Sequence, residues 1–216
     1  MMKYKRVTVD GLSIFYRCAG DPKNPVLFLL HGFPSASHYY RQLMPLLSDS
    51  FYCIAPDMVG FGQTDSPDRE VFDYTFDHEA QIMRSFLNAL KIDHYYLYLF
   101  DYGAPVGFRL ATKTPDQILG IVSQNGNIYE EGLGPKWQAR KAYWQNPTPA
   151  GRKTFSTAYA SKNIKEQYLG GEKEELVSPD GYNLDIFYSR TISGYAEKQN
   201  DLIFDYQSNV ALYPTF

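Results

Sequence analysis

The sequence predicts an α/β fold with a mostly parallel sheet flanked by helices. Three observations carry that reading. Continuous apolar runs recur at 26–30, 51–55 and 95–100, as strands buried on both faces require. Stretches of helical period separate them. Each run ends in turn-forming or small residues, at His31-Gly32-Phe33-Pro34, Pro56-Asp57 and Asp101-Tyr102-Gly103.

The elements follow in order. Residues 7–9 and 13–17 flank Asp10-Gly11, a type I′ turn signal, and predict a hairpin. The run 25–30 is the first buried strand. Residues 37–48 read as a helix and 51–55 as the next strand, followed by the turn-rich M-V-G-F-G-Q-T-D-S-P-D. Over 76–91, Ile82, Met83, Phe86, Ala89 and Leu90 fall at helical spacing, behind Thr75 as a helix-capping residue. Residues 95–100 are a strand, 103–113 a helix and 118–122 a strand. Alternation over 25–122 is the pattern of a parallel α/β sheet. After about residue 127 it stops. Tyr, Trp, Gln, Asn, Lys and Glu dominate there, with helices expected around 135–145, 150–168 and 197–210.

Composition narrows the function classes. The 216 residues carry a net charge of −3 and no basic block, which argues against a nucleic-acid partner. No apolar run reaches the roughly 18 residues that a membrane span needs. The start, M-M-K-Y-K-R-V-T-V-D, lacks the apolar core of a secretion signal. Cys18 and Cys53 are the only cysteines and have no motif spacing. A reducing, cytoplasmic setting and no metal site are therefore expected.

The chemistry concentrates at L-F-D-Y-G-A-P-V-G-F-R-L-A, residues 99–111. A strand running straight into a helix makes a tight elbow, whose residue projects into the crevice toward backbone N–H groups. Small residues must follow, and Gly103 and Ala104 do. The slot that often holds serine holds Asp101. A carboxylate there can attack an sp³ carbon and form an ester to the protein. The backbone N–H groups of Phe33 and Tyr102 are placed in sequence to form an oxyanion hole. The rival reading of Asp101 is a simple helix cap.

Three motifs together resemble the α/β-hydrolase superfamily, in its epoxide hydrolase and haloalkane dehalogenase branch. They are H-G-F-P-S-A-S (31–37), P-D-M-V-G-F-G-Q-T-D (56–65) and the elbow segment. The resemblance implies an α/β-hydrolase core over 1–127, a helical cap over 128–212 and a return toward the core at 213–216. It implies Asp101 as nucleophile, His31 and Gly32 as support for the oxyanion loop, and no cofactor. Phe33 and Tyr102 stand where haloalkane dehalogenases often carry Asn and Trp, whose side-chain N–H groups hold the leaving halide. That favours epoxide opening, for which cap tyrosines would protonate the departing oxygen, whereas Leu99, where epoxide hydrolases usually carry Gly, and G-A-P-V-G-F (103–108) resemble the dehalogenases. Tyr143, Tyr159, Tyr168, Tyr182, Tyr188, Tyr195 and Tyr206 are available. Trp137, Tyr143 and Trp144 are candidates to line a cap pocket for a small apolar substrate. Haloalkane hydrolysis is the alternative, and a catalytically inactive binding relative is the rival of another class.

The resemblance also calls for a histidine base and an acid partner late in the chain. The histidines are His31, His38, His78 and His94, and none follows residue 94. The position nearest to one family arrangement of the acid is Asn125. The expectation is thus a chain lacking the last core strands, able to form an ester but not to release it. His38, His78 and His94 read as surface or structural residues, Arg109 as a surface or salt-bridge residue, and Asp57 as a shaper of its loop.

Overall fold

The computed structural model describes residues 1–216. Its six-stranded sheet comprises β1 (Lys3–Val9), β2 (Leu12–Ala19), β3 (Val26–Leu30), β4 (Tyr52–Pro56), β5 (Tyr95–Phe100) and β6 (Ile118–Gln124). The spatial order is β1-β2-β4-β3-β5-β6. β1, β2 and β4 pair antiparallel, whereas β4, β3, β5 and β6 are mutually parallel. Asp10 and Gly11 both adopt positive φ (50° and 82°), as the type I′ turn between β1 and β2 demands.

β3 shows why its sequence is apolar throughout. Phe28 and Leu30 face the larger core with Phe86 and Leu97, while Leu27 and Leu29 face a second cluster with Tyr40 and Met44. Both faces are therefore covered by helices. α2 (Phe76–Ala89) starts where Thr75 accepts the His78 N–H, and it packs against α3 (Gly103–Lys113).

The helix expected over 37–48 is broken. A single 3-10 turn at Ser37–Tyr40 precedes α1 (Leu43–Leu47). Pro45 has no N–H to bond back to Arg41, so one continuous helix cannot form. In the second half, α4 (Gln138–Gln145) and α5 (Pro149–Phe155) are followed by a 3-10 turn at Ser156–Tyr159 and by α6 (Ser161–Leu169). The helix expected over 150–168 is therefore two, divided at the extended residue Ala160. α7 (Pro179–Thr191) was not expected, although Ser178-Pro179-Asp180 is a start signature, with the Ser178 hydroxyl accepting the Asp180 N–H. α8 (Tyr195–Leu212) completes the chain.

The second half sits over the carboxyl ends of the parallel strands. Tyr159 and Tyr195 reach the loop after β3, and Tyr206 reaches Tyr102. Lys198 donates to Ser66. The last residues turn onto α3, where Phe216 stacks on Phe108. β6 is an edge strand and leaves Leu119, Ile121 and Val122 exposed. No helix is long and apolar enough to cross a membrane.

Candidate active site

Asp101 stands between β5 and α3 with φ +49°, a left-handed conformation unusual for a side chain larger than glycine. The turn lets β5 enter α3 without a loop and turns the carboxyl toward the end of β3. Crowding follows. A Cβ on Gly32 would overlap the Asp101 side chain, and one on Gly103 would overlap the Leu30 carbonyl. Both glycines are thus required by close approach of backbone.

Asp101 as a whole is half-buried. Its Oδ1 accepts the Phe33 N–H at 2.8 Å, and the Tyr102 amide also favours the charged form. Burial pushes the Asp101 carboxyl up to about 6, with the two amides opposing that rise. It is therefore mainly ionised at pH 7, and Oδ1 is oriented by the Phe33 amide. The sequence placed Phe33, Tyr102 and Asp101 together, and the structure joins them.

His31 lies under this loop and is fully buried. Its Nε2 accepts the Met58 N–H at 3.0 Å, which places the ring proton on Nδ1, 3.2 Å from the Gly32 carbonyl. Burial holds its pKa down at about 4, so the ring is neutral. His31 thereby ties the 31–34 loop to the loop after β4. Asp57 does the same work nearby, accepting the N–H groups of Ser37 and Gln63.

The residues after β6 nearest this loop are tyrosines. Tyr159 packs edge-on against Phe33 at 5.4 Å, and Tyr206 lies 6.4 Å from Tyr102. The Tyr159 hydroxyl is buried and has no hydrogen-bond partner. Burial raises the Tyr159 phenol well above its ordinary range. Of the three cap candidates, Trp137 stacks against Tyr206 at 4.6 Å. Trp144 lies behind Trp137 and donates its indole N–H to the Ile203 carbonyl. Tyr143 packs on Phe155 and Phe204. Tyr143 and Trp144 are thus packing residues of the cap, one layer back from the rings that meet Phe33 and Tyr102.

None of the other histidines bonds to Asp101. His38 is buried, with Nε2 3.0 Å from Asp185 Oδ1 of α7. His78 stacks on Phe72 and bonds to the Asp73 carbonyl at the surface. His94 is exposed. Asn125, at the end of β6, adopts φ +52°. It lines a cleft of about 400 Å³ with Phe33, Ser35, Tyr39, Phe100 and Tyr168. A larger cleft, about 760 Å³, lies between α2 and α8 and is lined mainly by charged and polar side chains away from Asp101. Chemistry, not size, identifies the site. No group of three or more His, Cys, Asp or Glu side chains is placed to hold a metal ion. Arg109 is buried in α3, where it pairs with Asp77 and donates to Asn209 and Ser208.

Residues 25–161 match the family described as alpha/beta hydrolase fold. The chain belongs to the α/β-hydrolase family. It is 44% identical over 213 residues to the uncharacterized hydrolase YNR064C of Saccharomyces cerevisiae, a match covering 96% of this chain and 72% of that protein. It is 36% identical over 120 residues to a haloalkane dehalogenase of Bradyrhizobium diazoefficiens, covering 56% of this chain and 38% of that enzyme. The fold is also that of the haloalkane dehalogenase DbeA from Bradyrhizobium elkani, with TM-score 0.75 and 22% identity over 99% of this chain and 72% of that one. DatA of Agrobacterium tumefaciens, another haloalkane dehalogenase, gives TM-score 0.75 at 21% identity, covering 99% of this chain and 73% of that one. At such identities the likeness establishes the fold.

Proposed function

We propose that this hydrolase opens a small epoxide through a covalent ester on Asp101. The observation that carries the reading is Tyr159, whose ring packs on Phe33 and whose buried hydroxyl has no partner, beside the Phe33 amide that holds the Asp101 carboxyl. With Oδ1 held by the Phe33 amide, Oδ2 attacks one epoxide carbon. That C–O bond forms as the ring C–O bond breaks, and the departing oxygen takes a proton from the tyrosine hydroxyl. The resulting ester carbonyl lies against the N–H groups of Phe33 and Tyr102, which would also stabilise the oxyanion of its hydrolysis. The aromatic surroundings fit an apolar substrate body.

The haloalkane dehalogenase reading has its own support in the sequence similarity to such enzymes. A leaving halide wants side-chain N–H donors, however. Positions 33 and 102 supply none, and the Trp144 N–H is already engaged, so the indole N–H of Trp137, packed against Tyr206, is the donor this second reading would use.

Ester hydrolysis needs a base, and no histidine of the 216 residues contacts Asp101. We therefore expect the chain to accumulate one adduct per molecule without turnover. The test is incubation with a terminal epoxide and with the alkyl bromide of the same carbon skeleton, followed by peptide mass analysis. Epoxide mass should appear on the peptide containing Asp101, vanish in Asp101→Asn, and form at least tenfold more slowly in Tyr159→Phe. Faster labelling by the bromide, insensitive to Tyr159→Phe, would favour the dehalogenase reading. A folded chain that takes up neither reagent sinks both.

A further inference from the structure

The cleft lined by Asn125, about 400 Å³ in volume, has one ionised side chain in its wall, Glu172. No Lys, Arg or His lines it. The turn after α6 brings Glu172 there. Gly171 adopts φ +86°, and the Glu172 N–H bonds back to the Leu169 carbonyl. Glu174 is paired with Lys165, whereas Glu172 pairs with no cation of the chain.

Two further lining residues offer lone pairs. Ser35 is buried, and its hydroxyl donates to the Ala36 carbonyl at 3.5 Å. Tyr168 donates its single hydroxyl proton to Asp185. Behind them, His38 Nε2 lies 3.0 Å from Asp185 Oδ1 and 3.3 Å from Ser35 Oγ. Both hydroxyl hydrogens are thus committed to the chain, and Ser35 Oγ and Tyr168 Oη keep acceptor capacity. Phe33, Tyr39 and Phe100 add an apolar wall, with Tyr39 stacked on Phe100 at 4.3 Å. The cleft borders the elbow on its β6 side. Phe100 pairs with Gln124, so Asp101 and Asn125 leave neighbouring strand ends side by side, both with positive φ.

Acceptors, one free carboxylate and an apolar wall select the ligand. A carboxylate or phosphate would meet Glu172 and find no counter-charge. An alcohol would bring one donor and gain nothing from the negative charge. A primary ammonium brings three N–H donors and a positive charge, and its bonds to these oxygens are charge-assisted. The volume lies within the range of small-molecule sites. We propose that this cleft is a binding site for a small organic ammonium ion, with the N–H groups on Ser35, Tyr168 and Glu172 and the hydrocarbon against Phe33, Tyr39 and Phe100. The site goes beyond the Asp101 reading and does not depend on it.

The test is calorimetric titration of the whole chain with butylammonium and with 1-butanol, which share a carbon skeleton. Butylammonium should bind saturably and about tenfold more tightly than the alcohol, because its hydrogen bonds are charge-assisted. Glu172→Gln, at an exposed turn, should weaken butylammonium about three- to fivefold, the range of an exposed charge pair. Ser35→Ala should weaken it about tenfold, as loss of one hydrogen bond to a charged group does. Thermal melts check that both variants fold. Asp73→Asn, which removes a carboxylate from the larger cleft between α2 and α8, should leave butylammonium binding unchanged. Equal affinity for amine and alcohol, or no binding of butylammonium, overturns the proposal. So does binding that either folded variant at Glu172 or Ser35 leaves unchanged, or that Asp73→Asn abolishes. None of these readouts involves Asp101, so the nucleophile reading is tested separately.

Discussion

The Phe33 amide nitrogen lies 2.8 Å from Oδ1 of Asp101, joining the end of β3 to the elbow after β5 at a single carboxyl. That bond and the Tyr102 amide favour the ionised form, yet burial outweighs them and lifts the group to about 6. Only the carboxylate attacks carbon, so adduct formation on Asp101 should rise with pH through about 6 and then level off. Below that point the rate should fall about tenfold per pH unit, as for any single titration. The check is the labelling rate from pH 4.5 to 8 with a neutral epoxide. A midpoint near the ordinary 3.8 would mean that water reaches the carboxyl more freely than its burial implies.

His31 should matter through the loop it braces. Removing the ring in His31→Ala leaves the buried Met58 N–H without an acceptor, at a cost of about 1–3 kcal/mol before any packing loss. The Phe33 amide would then be less well placed, so labelling of Asp101 should slow as well. The pH dependence has a definite sign. The folded pKa is about 4 against the ordinary 6.5, so the unfolded chain binds the proton first as pH falls. The stabilisation is complete above 6.5 and is lost progressively down to about 4. Thermal melts should show this slope in the wild type and a shallower one in His31→Ala.

The parts that the sequence made legible are those fixed by local rules. Asp10-Gly11 announced its hairpin because both residues must adopt positive φ. The run ending at Leu30 announced a strand covered on both faces. Asp101 and Phe33 could be placed together because an elbow and an oxyanion loop each sit at a strand end. The cap resisted because its partners are distant in sequence. His38 gave no sign that Asp185, far along the chain in α7, would meet it. Arg109, readable as a surface or salt-bridge residue, does pair with Asp77 but is buried rather than at the surface, because α8 closes over it. The choice of Tyr143 and Trp144 as pocket residues rested on aromatic content alone, and content does not say which ring faces inward. Tyr159, Tyr195 and Tyr206 meet the core loops through tertiary position alone, which aromatic content does not encode.

Glu79 supplies a second pH effect, opposite in sign to that of His31. It is buried in α2, accepts the Val59 N–H through Oε2, and leaves Oε1 without a partner. Burial raises it to about 8, so it is mostly protonated at pH 7. Its folded pKa lies above the ordinary 4.5, so the folded chain holds the proton as the unfolded chain loses it. The stabilisation is complete below 4.5 and declines as pH rises, until it is gone above about 8. Glu79→Gln keeps an acceptor for Val59 and cannot ionise. Its melting temperature should match the wild type at acid pH and exceed it increasingly toward pH 8. Parallel curves for the two proteins over that range would show that Glu79 is not desolvated.

His38 Nε2 approaches Asp185 Oδ1 to 3.0 Å, a contact between the second half and the core just beyond the 31–34 loop. Asp185 is fully buried and also accepts the Tyr168 hydroxyl, while Ser35 approaches His38 from the loop itself. Burial raises the Asp185 carboxyl, and His38 and Tyr168 oppose that rise. A buried polar cluster of this kind is costly to break singly, because the partner left behind keeps its desolvation penalty. Asp185→Ala should therefore destabilise by about 1–3 kcal/mol, the cost of leaving buried polar partners unsatisfied. The double change His38→Leu with Asp185→Leu should recover much of that loss, since it leaves neither group unpaired. Tyr168→Phe removes one hydrogen bond and should cost about 1–2 kcal/mol. Local release of the cap makes a further difference measurable. Asp185→Ala should open the 156–191 segment to limited proteolysis and hydrogen exchange before the sheet unfolds, with β3 and β5 still protected. Loss of protection in sheet and cap together would instead mean that the two halves unfold as one unit, with His38 and Asp185 inside a single cooperative core.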